Sequence, residues 1–348
     1  VESPRPYLDD DTLLVEYFIT RGEVLAFSIT QDEIQIHRRL TTLSQLTRLL
    51  SLLHLNLHRL SPALLARGDP LDSEWANLQG LLGHLHTALI LPLADRLAPI
   101  ERLIVVPHGP LHYLPFHALH DGQGYLLERC EISYLPNSGL LRLQRDLGTN
   151  GRNALSALVV GYSLNGALPH TLSEAQQVNR RLKGKSLLEK EATRPNLEAQ
   201  AKTAQLIHLA THGEFRPEAP LFSTLYLADG PLTATDVFNL ELTASLVTLS
   251  ACQSGTSTVG GGDELVGFSR AFLYAGAASL VMSLWRVEDQ ATAQLMDRFY
   301  QGLLDGQRKP AALRQAQLAL MQGNESHRYR HPFFWAPFFL VGERGQVI

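Results

Sequence analysis

A thiol and an imidazole, forty residues apart, are the groups in this sequence whose setting fits chemistry. His212 closes the run Leu206-Ile207-His208-Leu209-Ala210-Thr211 and is followed by Gly213. Cys252 closes Leu246-Val247-Thr248-Leu249-Ser250-Ala251 and is followed by Gln253-Ser254-Gly255. Short apolar runs that stop in turn-forming residues are what strands buried in a parallel sheet look like. Side chains at the carboxyl ends of such strands face the crevice where open α/β sheets bind ligands. A thiol attacks a carbonyl well only as the thiolate, and an imidazole on a neighbouring strand end supplies the base. The small polar residues after Cys252 put the thiol at an open edge rather than in a packed interior. His208 sits between Ile207 and Leu209 inside its run and reads as structural.

The two segments HLATHG and LSACQSG together resemble the CHAT domain, a caspase- and separase-like group of cysteine peptidases. VMSLWRVED (281–289) and HPFFWAPFFLVG (331–342) continue the resemblance. The caspase-type signature Q-A-C-[RQG]-G is only partly met around Cys252, as suits a cousin of the caspases. The resemblance implies Cys252 as nucleophile and His212 as the base that later protonates the leaving amine. It also implies an oxyanion hole from the N–H groups of Gly213 and Cys252. No third triad member is evident, and the resemblance implies a dyad. In separases the acidic residue at the end of the segment matching 281–289 receives the arginine before the scissile bond. By that analogy Asp289 lines the S1 pocket, and a carboxylate there favours a basic P1 residue. Glu288 and Asp289 equally fit the first turn of a helix, where the dipole stabilises carboxylates. Asp263, after the run Gly260-Gly261-Gly262, is the second acidic candidate. The implied chemistry uses no cofactor and no metal.

The elements that must position these groups follow a regular order. The chain has 348 residues, 45% hydrophobic and 18% charged, enough for one large or two ordinary globular domains. A net charge of −4 gives no electrostatic case for nucleic acid. No run reaches membrane-spanning length, and no basic segment followed by an apolar one opens the chain. With one of only two cysteines in the candidate site, a reducing cytoplasm is the expected compartment. The start at Val1 suits a piece of a longer protein.

Residues 13–38 read as a β-meander, and leucine stripes at 43–57 and 75–93 read as two helices, the second capped by Asp72 or Ser73. Strands are expected at 103–106 and 132–135, and a short helix from Ser138 to about Leu147. After the linker Gly148-Thr149-Asn150-Gly151, β and α patterns alternate: strands at 155–161, 187–188, 206–210, 221–227, 246–250, 277–284 and 338–341. Helices open at Ser173, Pro195, Thr233 and after Asp263-Glu264, and span 288–304 and 310–322. The alternation predicts an α/β fold, a caspase-like, mostly parallel sheet flanked by helices.

The linker divides the chain into 1–147 and 152–348. Each half has a strand leading into Pro, His or Gly residues, VVPHG and LATHG, but the first has no Cys where the second has Cys252. By resemblance, the first half is a catalytically silent pseudo-caspase and the second an active peptidase domain. One continuous domain is the alternative. Cys130 reads as a packed small apolar residue.

Three patterns are set aside. Gly184-Lys185-Ser186 lacks the leading glycine of a phosphate loop, since position 179 is Asn. Gly161-Tyr162-Ser163 lacks the second glycine of a serine-hydrolase elbow. His108, His112, His117 and His120 lie around turns with no spacing that organises a metal site.

The function implied is cleavage of specific protein substrates, among them a pore-forming effector, after a basic residue. CHAT proteins are often fused to helical-repeat (TPR) regions and serve bacterial immunity or programmed death, with activity latent until a signal or activator arrives. A silent scaffold of caspase-like fold is the alternative; another acyl-transfer activity on the same dyad is a third.

Overall fold

The computed structural model describes residues 3–60, 72–142, 155–214, 216, 219–253, 263–285, 289–323 and 327–347. The expected linker at 148–151 and the end of the helix that begins at 140–142 lie outside them.

The meander forms as three antiparallel strands, β1 (Thr12–Thr20), β2 (Glu23–Ile29) and β3 (Ile34–Thr42). Arg21 and Gly22 both take positive φ, the two-residue turn that matches the twist of a hairpin. β3 runs past its expected end at His37 because Thr41 and Thr42 pair with Val24 and Glu23. Helix α1 (Leu43–Arg59) then starts on a capping box. Gln45 N–H donates to Thr42 Oγ1 (3.2 Å) and Gln45 Oε1 accepts from Thr42 N–H (3.5 Å), an arrangement worth about 1 kcal/mol. Leu46, Leu50, Leu53 and Leu57 are its buried stripe, facing Leu78, Leu82, Leu85 and Leu89 of α2 (Asp72–Leu89). Asp72 and Ser73 lie inside α2, so neither is its cap. Fully burying each such leucine stabilises by roughly 1.5–3 kcal/mol. Strands β4 (Arg102–Val106) and β5 (Glu131–Tyr134) complete the first half, joined through two short 3₁₀ turns at Gly109–Tyr113 and Phe116–Ala118.

The second half alternates as expected: β6 (Ala157–Gly161), α3 (Pro169–Leu182), β7 (Lys185–Leu188), α4 (Arg194–Ala201) and β8 (Leu206–Glu214). The hairpin β9 (Thr224–Leu227) and β10 (Gly230–Thr233) leads to β11 (Leu246–Gln253), α5 (Asp263–Tyr274) and β12 (Ser279–Ser283). Helices α6 (Asp289–Leu304) and α7 (Lys309–Gln322) and strand β13 (Phe338–Gly342) close the chain. α3 opens at Pro169, earlier than Ser173, because proline's fixed φ suits a helix's first turn. Gly161 lets α3 lie close on the sheet: a Cβ there would come within 2.6 Å of Ala175 Cβ.

All strands join one mixed, mostly parallel sheet of thirteen, in the order β10-β9-β8-β11-β12-β13-β5-β4-β1-β2-β3, with β6 and β7 branching from β8. β13 is antiparallel to β12 and meets β5 where Val341 lies opposite Tyr134. One apolar core runs through both halves, and a smaller cluster around Leu14, Ile104 and Leu141 covers the other face of the first. Polar ties also join the two halves: Arg308 pairs with Glu131 (2.7 Å), and Arg314 Nε donates to Leu127 O (2.6 Å).

Candidate active site

The strands expected at 206–210 and 246–250 both run further, to Glu214 and Gln253. The reason is mutual pairing. β8 and β11 stay in parallel register from Leu206–Leu246 to Gly213–Gln253, and β9 takes up the other edge of β8 at Gly213 and Glu214. In this register Cys252 lies opposite His212. Neighbouring strands are about 4.8 Å apart, so the two backbones are within side-chain reach of one another. The side chains of Cys252, Asp263 and Asp289 lie outside what is described, as does the glycine run 260–262.

His212 is partly buried, and its ring lies on that of Tyr226 with centroids 5.4 Å apart and planes tilted by 32°. Tyr226 in turn donates to Glu214 Oε2 (3.0 Å), and Arg216 Nε donates to Glu214 Oε1 (3.1 Å). The Tyr226 and Arg216 hydrogen bonds hold the Glu214 carboxyl below its usual range. Thr211, on the opposite face of β8, donates through Oγ1 to Tyr226 O and ties the end of β8 to β9. Gly213 is buried within the strand. Asp263 and Asp289 each form the first residue of a helix, α5 and α6, that follows the carboxyl end of a strand.

Four residues before the His–Cys pair, the same register sets His208 opposite Thr248. His208 is fully buried, as its position inside the apolar run implied. Tyr300 Oη–H donates to Thr248 Oγ1 (2.8 Å) and lies 2.8 Å from His208 Nδ1, so Nδ1 carries the proton of that contact. His208 Nε2 faces Glu174 Oε1 at 3.3 Å. Thus a buried polar chain, Glu174–His208–Tyr300–Thr248, bridges α3, β8, α6 and β11 beneath the candidate dyad. Sequence reasoning missed Tyr226, Glu214, Glu174 and Tyr300. One signal was present: Thr248, a polar residue in an apolar strand, stands four before Cys252 as His208 stands four before His212.

The remaining candidates have structural roles. Cys130 is buried and its thiol is pushed up to about 12 by burial. Ser163 bonds Glu189 and accepts Gly166 N–H (2.9 Å), stabilising a turn. Gly184 packs against the Ala157 backbone, where a side chain would collide. His117 is buried between Tyr134 Oη (3.2 Å) and Ala336 O (2.9 Å), His120 packs on Tyr125, and His108 packs on Phe18. Among the described residues no group of three or more His, Cys, Asp or Glu could hold a metal ion. Likewise, no helix is long and apolar enough to cross a membrane.

This sheet and helix arrangement is that of the separase caspase-like domain. The structure is similar to the separase–securin complex of Saccharomyces cerevisiae, with TM-scores of 0.65 and 0.62 in two crystal structures at 11% and 12% identity. Each match covers 98% of this chain and 30% of the other. The chain belongs to the CHAT domain family, whose model matches residues 79–343. It is also similar to human tetratricopeptide repeat protein 28, 28% identical over 321 residues, and to its mouse counterpart at 27%. Those matches cover 74% of this chain and 13% of the relatives.

Proposed function

We propose that this chain is a cysteine endopeptidase with Cys252 as nucleophile and His212 as general base. The observation that supports it is the register of β8 and β11, in which these two residues, and not merely their strands, are neighbours. His212 takes the thiol proton as sulfur attacks the scissile carbonyl carbon, then gives that proton to the departing amine. Water, deprotonated by the same imidazole, cleaves the thioester and releases the acid and the free thiol. The N–H groups of Gly213 and Cys252 stabilise the oxyanion. The face of Tyr226 orients the imidazole. Asp289, at the start of α6, receives a basic P1 side chain, with Asp263 as the second candidate.

The domain division at 148–151 fits this reading: residues 1–147 form a silent caspase-like half and 152–348 the active one. The substrate is a protein partner, such as a pore-forming effector, cleaved in the cytoplasm when a bacterial immunity or cell-death signal arrives. The repeat region named in the relatives suggests that an upstream TPR segment or activator carries the signal.

The test is cleavage of a P1-diverse peptide library by wild-type, Cys252→Ala and Asp289→Ala chains. Cleavage after Arg or Lys should vanish in the first variant. In the second it should weaken about 10- to 100-fold, the value of a hydrogen-bonded charge contact. Cleavage that survives Cys252→Ala sinks the dyad. Silence of the wild type together with a Cys252 thiol inert to iodoacetamide replaces the enzyme with the scaffold.

A further inference from the structure

A groove of about 590 Å³ runs between α3 and α6, walled by His170, Glu174 and Gln177 on one side and Gln290, Gln294 and Asp297 on the other. Both helices follow strands of the same parallel set, β6 and β12, and start beyond the carboxyl ends of those strands. The groove therefore opens at the sheet edge that carries His212 and Cys252. It also lies on the His212 face of β8, because Glu174 reaches His208 and residues four apart on a strand share a face. At its far end Arg181 clasps Asp297 through Nε and Nη2 (2.8 and 2.7 Å) and fixes the two helices together.

The groove wall is polar: the side-chain amides of Gln177, Gln290 and Gln294 line it together with the carboxylates of Glu174 and Asp297. Glu174 Oε1 is buried and makes no hydrogen bond, and His208 Nε2, 3.3 Å away on a side chain with no exposure, makes none either. Among the described residues no lysine or arginine pairs with Glu174. A polar groove of this size with a carboxylate in its wall suits a planar cationic donor that can bind the carboxylate and still reach side-chain amide oxygens.

We propose that this groove is a second recognition subsite, distinct from S1, which takes a guanidinium side chain of the polypeptide substrate on Glu174. It rests on the peptidase reading only in naming the ligand a substrate.

Binding can be read without turnover. The probe is N-acetyl-arginine amide, followed by the side-chain amide resonances of Gln177, Gln290 and Gln294 in the whole chain. Saturable shifts are expected in wild type, Cys252→Ala and Asp289→Ala. They should weaken at least tenfold in Glu174→Gln and in Ala293→Phe, which fills the groove and leaves the Glu174–His208 contact in place. The citrulline counterpart, neutral and of the same shape, should produce no saturable shift. No shift in wild type, equal shifts with citrulline, or unchanged binding in Ala293→Phe would each overturn the proposal. Lost groove binding with intact library cleavage removes this inference alone. Groove binding without any cleavage, together with a Cys252 thiol inert to iodoacetamide, removes the peptidase reading alone.

Discussion

The strand ends of β4 and β8, VVPHG and LATHG, both close an apolar run on His-Gly and do different things. β4 stops at Val106, and Pro107 leads into the 3₁₀ turn Gly109–Tyr113. There His108 packs on Phe18, with ring centroids 4.8 Å apart. β8 instead runs on through Thr211 and His212 to Glu214, held by β11 on one side and β9 on the other. One residue type accounts for much of the difference. Proline has no N–H for a ladder, whereas threonine keeps its own N–H and adds a hydroxyl, here bonded to Tyr226 O. An HG pair after an apolar run is therefore not a site in itself. It becomes a candidate site when the strand continues far enough to bring the histidine into register with a cysteine.

Four changes test this contrast. The largest effect separates the two histidines. Cys252→Ala or His212→Ala should lower kcat/KM for a cleaved peptide by about 10⁴-fold or more, while His108→Ala should stay within about twofold. If His108→Ala proved as damaging, the two strand ends would be functionally equivalent. Next, Thr211→Pro gives β8 the residue that ends β4. It should cost roughly 1–3 kcal/mol in urea unfolding, the cost of a lost ladder hydrogen bond with its buried partner left unpaired, and abolish cleavage with His212 still present.

The third change concerns His117, a histidine of the first half held neutral by burial, its pKa lowered from 6.5 to about 4. The unfolded chain takes up a proton on this group below about 6.5 and the folded chain does not until about 4. Stability should therefore fall as pH falls through that window, by at most about 3 kcal/mol from this group. His117→Gln should flatten the slope of unfolding free energy against pH. The smallest effect is at the ring beside His212: Tyr226→Ala should reduce kcat roughly 3- to 10-fold, and Tyr226→Phe by less. Equal losses in both would shift the weight from the ring to the Tyr226–Glu214 hydrogen bond.

Much of the second half was legible in the sequence because its signals are local. β6, β7 and β13 and helices α4, α6 and α7 follow from apolar runs, a proline in the first turn of α4 and helical periodicity. The lengths of β3, β8 and β11 were not, because a strand's end depends on its neighbour: Thr41, His212 and Cys252 extend their strands only through partners on β2, β11 and β8. The same limit applies to the site. His212 and Cys252 were visible from residue type and setting, but Tyr226 joins His212, and Glu174 joins His208 beneath it, through tertiary contacts that leave no spacing in the sequence. Thr211 and Pro107 were there to be compared, and only the fold gives the substitution its meaning.

The last of the described strands in sequence order, β13, sits in the middle of the sheet. β13 fills the place between β12 and β5, and Val341 meets Tyr134, roughly two hundred residues earlier in the chain. Pairings this distant in sequence form late, because the intervening loop must first be closed. A chain still being synthesised thus holds two unfinished half-sheets, each with an open edge where β13 belongs. The seam closes only when residues 338–342 emerge, and Trp335 and Phe338 then bring their backbone oxygens to Gln317. In such a molecule completion of the sheet is a timing device: the half that carries the His–Cys strands is joined to the other half only after β13 has been made.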